Sequence, residues 1–172
     1  MRLPMFTASL GFVAGTVVQP TLMRGGTMRL LSGFHPGRVL ELIARERINL
    51  TLLVPTMIYT LLDHPELDRT DLSSLHTLLY GASPMSPTRL VEGLERIGPV
   101  FAQLYGQTEG YPVSFLKRSD HDVAQPDLFS SCGLPTSGSQ VVLLDDDDQA
   151  VAPGGVGELC VRSRQVMDGY LN

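Results

Sequence analysis

The sequence predicts an α/β fold: a parallel sheet flanked by helices in the doubly wound manner, followed by the start of a small antiparallel β-barrel. Three observations predict it. Between residues 27 and 109 short apolar runs alternate with amphipathic stretches, as strand–helix units do. Prolines open several of those stretches at the first helical position, where the missing N–H costs nothing. After about residue 126 the alternation gives way to closely spaced short strands and turns.

Residues 27–31 read as a strand after the turn at Gly25-Gly26. Pro36 then starts a helix whose apolar face is Val39, Leu40, Leu42, Ile43 and Ala44. Residues 50–54 are an unbroken apolar run, the pattern of a strand covered on both faces. Pro55 opens a second helix with Met57, Ile58, Leu61 and Leu62 on one side, and residues 76–80 form the next strand. Ser86 is placed as an N-cap before Pro87, and Leu90, Val91, Leu94 and Ile97 make the third helical stripe. Residues 100–105 close the series as a strand. The expected division is residues 1–125 for the α/β part and 126–172 for hairpins of a partial barrel. There residues 139–144 and 156–161 read as strands, and the four aspartates at 145–148 as a solvated turn.

Composition narrows the function. With 43% hydrophobic and 18% charged residues the chain belongs with globular proteins rather than disordered ones. Its net charge of -5 and lack of any basic run beyond a dipeptide argue against a nucleic-acid partner. Cys132 and Cys160 are isolated from each other and from the four histidines. They read as reduced thiols of a cytoplasmic protein rather than zinc ligands. Residues 3–23 carry no charge, but Pro4, Gly11, Gly15, Gln19 and Pro20 interrupt them. The reading is a helix covered by other protein, not a stable membrane span.

In sheets of this kind ligands bind beyond the carboxyl ends of the strands. Two small-residue motifs stand there: Gly81-Ala82-Ser83-Pro84 after one strand and Tyr105-Gly106-Gln107-Thr108-Glu109 after another. The second combines an aromatic ring that can stack on a base, a glycine permitting close backbone approach, a hydroxyl for a phosphate oxygen and a carboxylate for Mg²⁺. A nucleophile elbow at Gly81-Ala82-Ser83 fails. It needs glycine where Met85 stands, and the residue after the serine must donate an N–H that Pro84 lacks.

In order along the chain, Val54-Pro55-Thr56, Asp71-Leu72-Ser73-Ser74-Leu75, Tyr80-Gly81-Ala82-Ser83-Pro84-Met85, Gln103-Leu104-Tyr105-Gly106-Gln107-Thr108-Glu109, Cys132-Gly133-Leu134-Pro135, Pro153-Gly154-Gly155-Val156-Gly157-Glu158-Leu159 and Gly169-Tyr170-Leu171-Asn172 resemble the adenylate-forming (acyl-CoA synthetase, AMP-binding) superfamily, in the centre of its large N-terminal domain. The resemblance implies an ATP-dependent reaction in two steps. A fatty or aromatic carboxylic acid and ATP give an acyl-adenylate and pyrophosphate, and CoA then takes the acyl group. It implies a nucleotide site of Gly81, Ala82, Ser83, Tyr105, Gly106, Gln107 and Thr108. Tyr105 would stack on adenine and Thr108 would bind the α-phosphate as a catalytic residue. Glu109, also catalytic, would hold Mg²⁺. Gly81, Ala82 and Ser83 would line the junction of adenine and acyl pockets, and Gly106 would border the activated carboxylate.

The departures qualify that reading. No Ser/Thr/Gly-rich phosphate loop precedes Gly81, and the ribose-binding Asp and the Lys-bearing domain of the family would follow Asn172. Thr7, in Pro4-Met5-Phe6-Thr7, stands where the family usually has His. The expectation is an incomplete site, inactive alone, with uncovered apolar surface and self-association as its consequence. A carrier-protein-loading adenylation domain and a non-catalytic nucleotide-binding module remain alternative readings.

Overall fold

A computed structural model describes residues 5–7 and 14–171 of the 172, with side chains from Val17 onward. Pro4, Gly11 and Asn172, singled out above, lie outside the described residues. The element order is β1 (Met5–Thr7), α1 (Ala14–Met23), β2 (Met28–Leu30), α2 (Pro36–Glu46), β3 (Leu50–Leu53), α3 (Pro55–Leu62), β4 (Thr77–Gly81), α4 (Pro87–Arg96), β5 (Phe101–Gln107), β6 (Gly110–Leu116), β7 (Leu134–Pro135), β8 (Gln140–Leu144) and β9 (Glu158–Arg162). The strands and helices expected between residues 27 and 105 are therefore present, with ends displaced by a residue or two.

Seven strands form one sheet in the order β2-β1-β3-β4-β5-β6-β7, and β8 and β9 pair separately. The first five run parallel. β6 and β7 run antiparallel to their neighbours. Right-handed crossovers that advance in one direction stack their helices on one face. The connections β2-α2-β3, β3-α3-β4 and β4-α4-β5 all advance the same way, whereas β1-α1-β2 goes back. α2, α3 and α4 accordingly share a face and α1 falls to the other, which is the doubly wound arrangement.

The core lies under the shared face. Val39, Leu40 and Ile43 of α2, Ile58, Leu61 and Leu62 of α3, and Leu90 of α4 meet Leu53, Leu78, Tyr80 and Phe101 of the sheet. Each helical set keeps the spacing read from the sequence, because a 3.6-residue period turns those positions to one side. On the reverse face Leu50, Leu52 and Leu79 are only half-buried, and the α1 end is open, with Met23 87% exposed. No helix among the described residues is long and apolar enough to cross a membrane.

One local expectation changes and another holds. Ser86 precedes α4, but its side chain makes no capping bond. The orphan N–H of Ser86 instead donates to the Tyr59 hydroxyl at 2.7 Å, so α3 caps α4. The aspartate run is a turn, and its first carboxylate orders it by accepting from the N–H groups of Asp147 and Gln149.

A histidine is among the polar groups built into the core. His121 is 5% exposed. Its Nδ1 lies 2.7 Å from the Lys117 carbonyl, which can only accept, so Nδ1 carries the proton. Nε2 then accepts from the Tyr80 hydroxyl at 3.0 Å, and the ring stacks on Phe129. Burial pushes the His121 pKa down against smaller opposing effects of the Lys117 carbonyl and Asp120. A histidine depressed in the fold binds fewer protons there than when unfolded, so this contribution is complete above the unfolded value near 6.5 and is lost as pH falls below it. The urea midpoint is expected to drop between pH 8 and pH 5.5. His121→Gln should flatten that drop, and an equally steep one in the variant would remove His121 as its origin.

Candidate active site

Gly81 ends β4 beside β5, and its partner across the ladder is Leu104. A Cβ at Gly81 would come within 3.0 Å of the Leu104 carbonyl oxygen, so only glycine lets the strands pair here. Ala82 follows with φ 67, a left-handed conformation uncommon outside glycine. That turn swings residues 83–86 out over the strand ends before Pro87 opens α4.

β5 continues past the expected residue 105 to Gln107 and turns back as β6, a strand not anticipated from the sequence. Thr108 and Glu109 are the two residues of the hairpin tip. Next to them the pairing is irregular. Tyr105 opposes Ser114 and Gln107 opposes Gly110, so Gly106 faces three residues of β6. Bulges of this sort re-aim side chains near sites. Here a Cβ on Gly106 would meet the Tyr111 ring.

Two cavities share the wall formed by Gly81, Ala82, Leu104 and Gly106. The larger, about 600 Å³, is lined further by Ser83, Pro84, Gln103, Tyr105 and Cys132. The smaller, about 240 Å³, is lined further by Tyr80, Gln107, Thr108, Glu109 and Tyr111. All eight residues singled out from the sequence therefore line one of two adjoining cavities at the strand ends. Ser83 and Tyr105 go to the larger, Gln107, Thr108 and Glu109 to the smaller, and Gly81, Ala82 and Gly106 to both.

Two further residues belong with them. Gln103 stands two positions before Tyr105 on the same side of β5, and its buried Oε1 has no hydrogen-bond partner among the described residues. Alternation along the strand was the signal that could have found it. Tyr170 donates its hydroxyl to Glu109 Oε1 at 2.7 Å. That bond is what chiefly holds the Glu109 carboxyl below the usual range, and it raises the Tyr170 phenol in turn. A separation of 61 residues left no local signal for it.

A face of small residues beside an aromatic, a hydroxyl and a half-buried carboxylate can hold a nucleotide and the cation that accompanies its phosphates. Comparison decides the family. The family model described as AMP-binding enzyme matches residues 3–171. The chain belongs to the AMP-binding enzymes.

Among relatives of this AMP-binding enzyme is the medium/long-chain-fatty-acid–CoA ligase FadD8 of Mycobacterium tuberculosis, 46% identical over 154 residues, 89% of this chain and 26% of that protein. A feruloyl-CoA synthase of an Amycolatopsis species is 39% identical over 167 residues, 97% of this chain and 33% of that one. Among solved structures, the amide bond synthetase McbA from Marinactinospora thermotolerans superposes with a TM-score of 0.92 at 38% identity, covering 99% of this chain and 35% of that one. The chain thus spans about a quarter to a third of the relatives it matches.

Proposed function

We propose that this chain forms the nucleotide- and acyl-binding face of an ATP-dependent acid–thiol ligase. The observation that carries the reading is the pair of adjoining cavities. Tyr105 stands in one and Thr108-Glu109 in the other, and they meet at a wall whose glycines admit close backbone approach. Adenine lies in the larger cavity against Tyr105, which Gln103 also lines. The carboxylic acid occupies the smaller cavity. Its carboxylate comes to Gly106, where the shared wall lets it reach the α-phosphate.

Thr108 donates its hydroxyl to an α-phosphate oxygen. Glu109 suits Mg²⁺ because Oε2 has no side-chain partner among the described residues and the group is a hard, ionised oxygen donor. Bound there, Mg²⁺ would offset charge on the phosphates. A carboxylate oxygen bonds to the α-phosphorus as the α–β bridging bond breaks, and pyrophosphate leaves with that electron pair. The thiol then adds to the acyl carbon and AMP departs. CoA is the acceptor, and a fatty or aromatic acid the substrate, by analogy with FadD8 and feruloyl-CoA synthase.

The test has two arms. The 172-residue chain should bind AMP in equilibrium dialysis. A chimaera in which this chain replaces the matching segment of FadD8 should release pyrophosphate only when ATP and a carboxylic acid are both present. A folded chimaera without acid-dependent release overturns the reading.

A further inference from the structure

The segment after β9 returns to the tip of the β5–β6 hairpin. Val166 bridges Gly110, and the Met167 N–H donates to the Glu109 carbonyl at 2.8 Å. Tyr170 then reaches the Glu109 side chain itself. Packing does not explain its place, because Tyr170 is 66% exposed, and an exposed aromatic with one oriented polar end gains little by burial.

We propose that Tyr170 is a positioning residue that presets Glu109 at the hairpin tip for a metal-bound triphosphate. The inference rests on the nucleotide-site reading above. By donating to Oε1, the phenol fixes the carboxylate rotamer and leaves Oε2 as the oxygen offered to the cation. A carboxylate on a two-residue hairpin tip would otherwise sample several rotamers, and ordering it before binding removes that entropic cost from the binding step. The device also makes the tip depend on the chain that follows β9. The phenol adds a side-chain link to the backbone bonds that Val166 and Met167 already make to the hairpin.

The test uses Mn²⁺ as a paramagnetic stand-in for Mg²⁺ and α,β-methylene-ATP, which cannot be cleaved at the reacting bond. Mn²⁺ bound to the protein–nucleotide complex is titrated by electron paramagnetic resonance, and AMP binding is measured separately without metal. Tyr170→Phe is expected to weaken Mn²⁺ about tenfold, the low end of what loss of a group supporting a metal ligand costs. AMP affinity should not change. In a Glu109→Gln background Tyr170→Phe should add nothing, because the group it orients is already gone. Unchanged Mn²⁺ affinity overturns the proposal, as does a parallel loss of AMP binding or full additivity of the two substitutions. If the unsubstituted chain binds neither AMP nor the analogue, the nucleotide-site reading itself falls and takes this proposal with it. Intact AMP binding with an indifferent Tyr170 sinks only the positioning role.

Discussion

Gly81→Ala is expected to destabilise the chain by about 3 kcal/mol, the upper end of what overpacking usually costs. The added Cβ would come within 3.0 Å of the Leu104 carbonyl oxygen, and that atom belongs to the β4–β5 ladder rather than to a flexible side chain. Relief requires the two strands to separate where both cavities share their wall. Stability and ligand binding should therefore fail together. Urea denaturation should show a lower midpoint at unchanged slope, and AMP binding should be lost under conditions where the variant is still folded. A variant with wild-type stability and intact AMP binding would show that the strand ends yield easily. The wall would then lose its place in the argument.

The second large effect concerns charge rather than packing. Glu109→Gln keeps the shape of the side chain and an oxygen for the Tyr170 hydroxyl, but removes the ionised group that suits a divalent cation. Acyl-adenylate formation, measured in the chimaera with FadD8, should fall roughly 100-fold, equivalent to about 3 kcal/mol of lost transition-state stabilisation. Excess Mg²⁺ should recover part of the rate. The urea midpoint should stay where it was, because the side chain sits on an exposed hairpin tip and not in the core. An unchanged rate at limiting Mg²⁺ would take Glu109 out of the site.

These two residues illustrate what could be read without coordinates. Gly81 and Glu109 were both singled out from the sequence because they belong to motifs at the ends of runs recognisable as strands. The elements that carry them were also legible, since α2, α3 and α4 each open on a proline and show an unbroken helical stripe. β6 was not legible. Pro112 interrupts it, and the three residues that face Gly106 break the two-residue alternation that marks a strand. Without β6, Thr108 and Glu109 could be placed after a strand but not on a hairpin tip.

The small sheet was legible in kind. Residues 140–144 and 158–162 alternate and flank turn residues, and they pair as β8 and β9. That Leu134–Pro135 pairs with β6 in the large sheet follows from a meeting of distant segments. No periodicity encodes it.

By itself the sequence determined the local structure and the chemical inventory: which stretches form helices and strands, where glycines permit close approach, and which hydroxyl and carboxylate stand at a strand end. Those properties depend on side-chain type and spacing over a few residues. The tertiary structure alone decided that the inventory divides between two cavities with one common wall, that Gln103 lines one of them, that His121 is bonded to Tyr80 inside the core, and that Tyr170 crosses 61 residues of chain to reach Glu109. Each of these is a contact between segments far apart in the chain. Such contacts form because the strands pair and the helices bury their stripes together, and that is a property of the assembled fold rather than of any window of sequence.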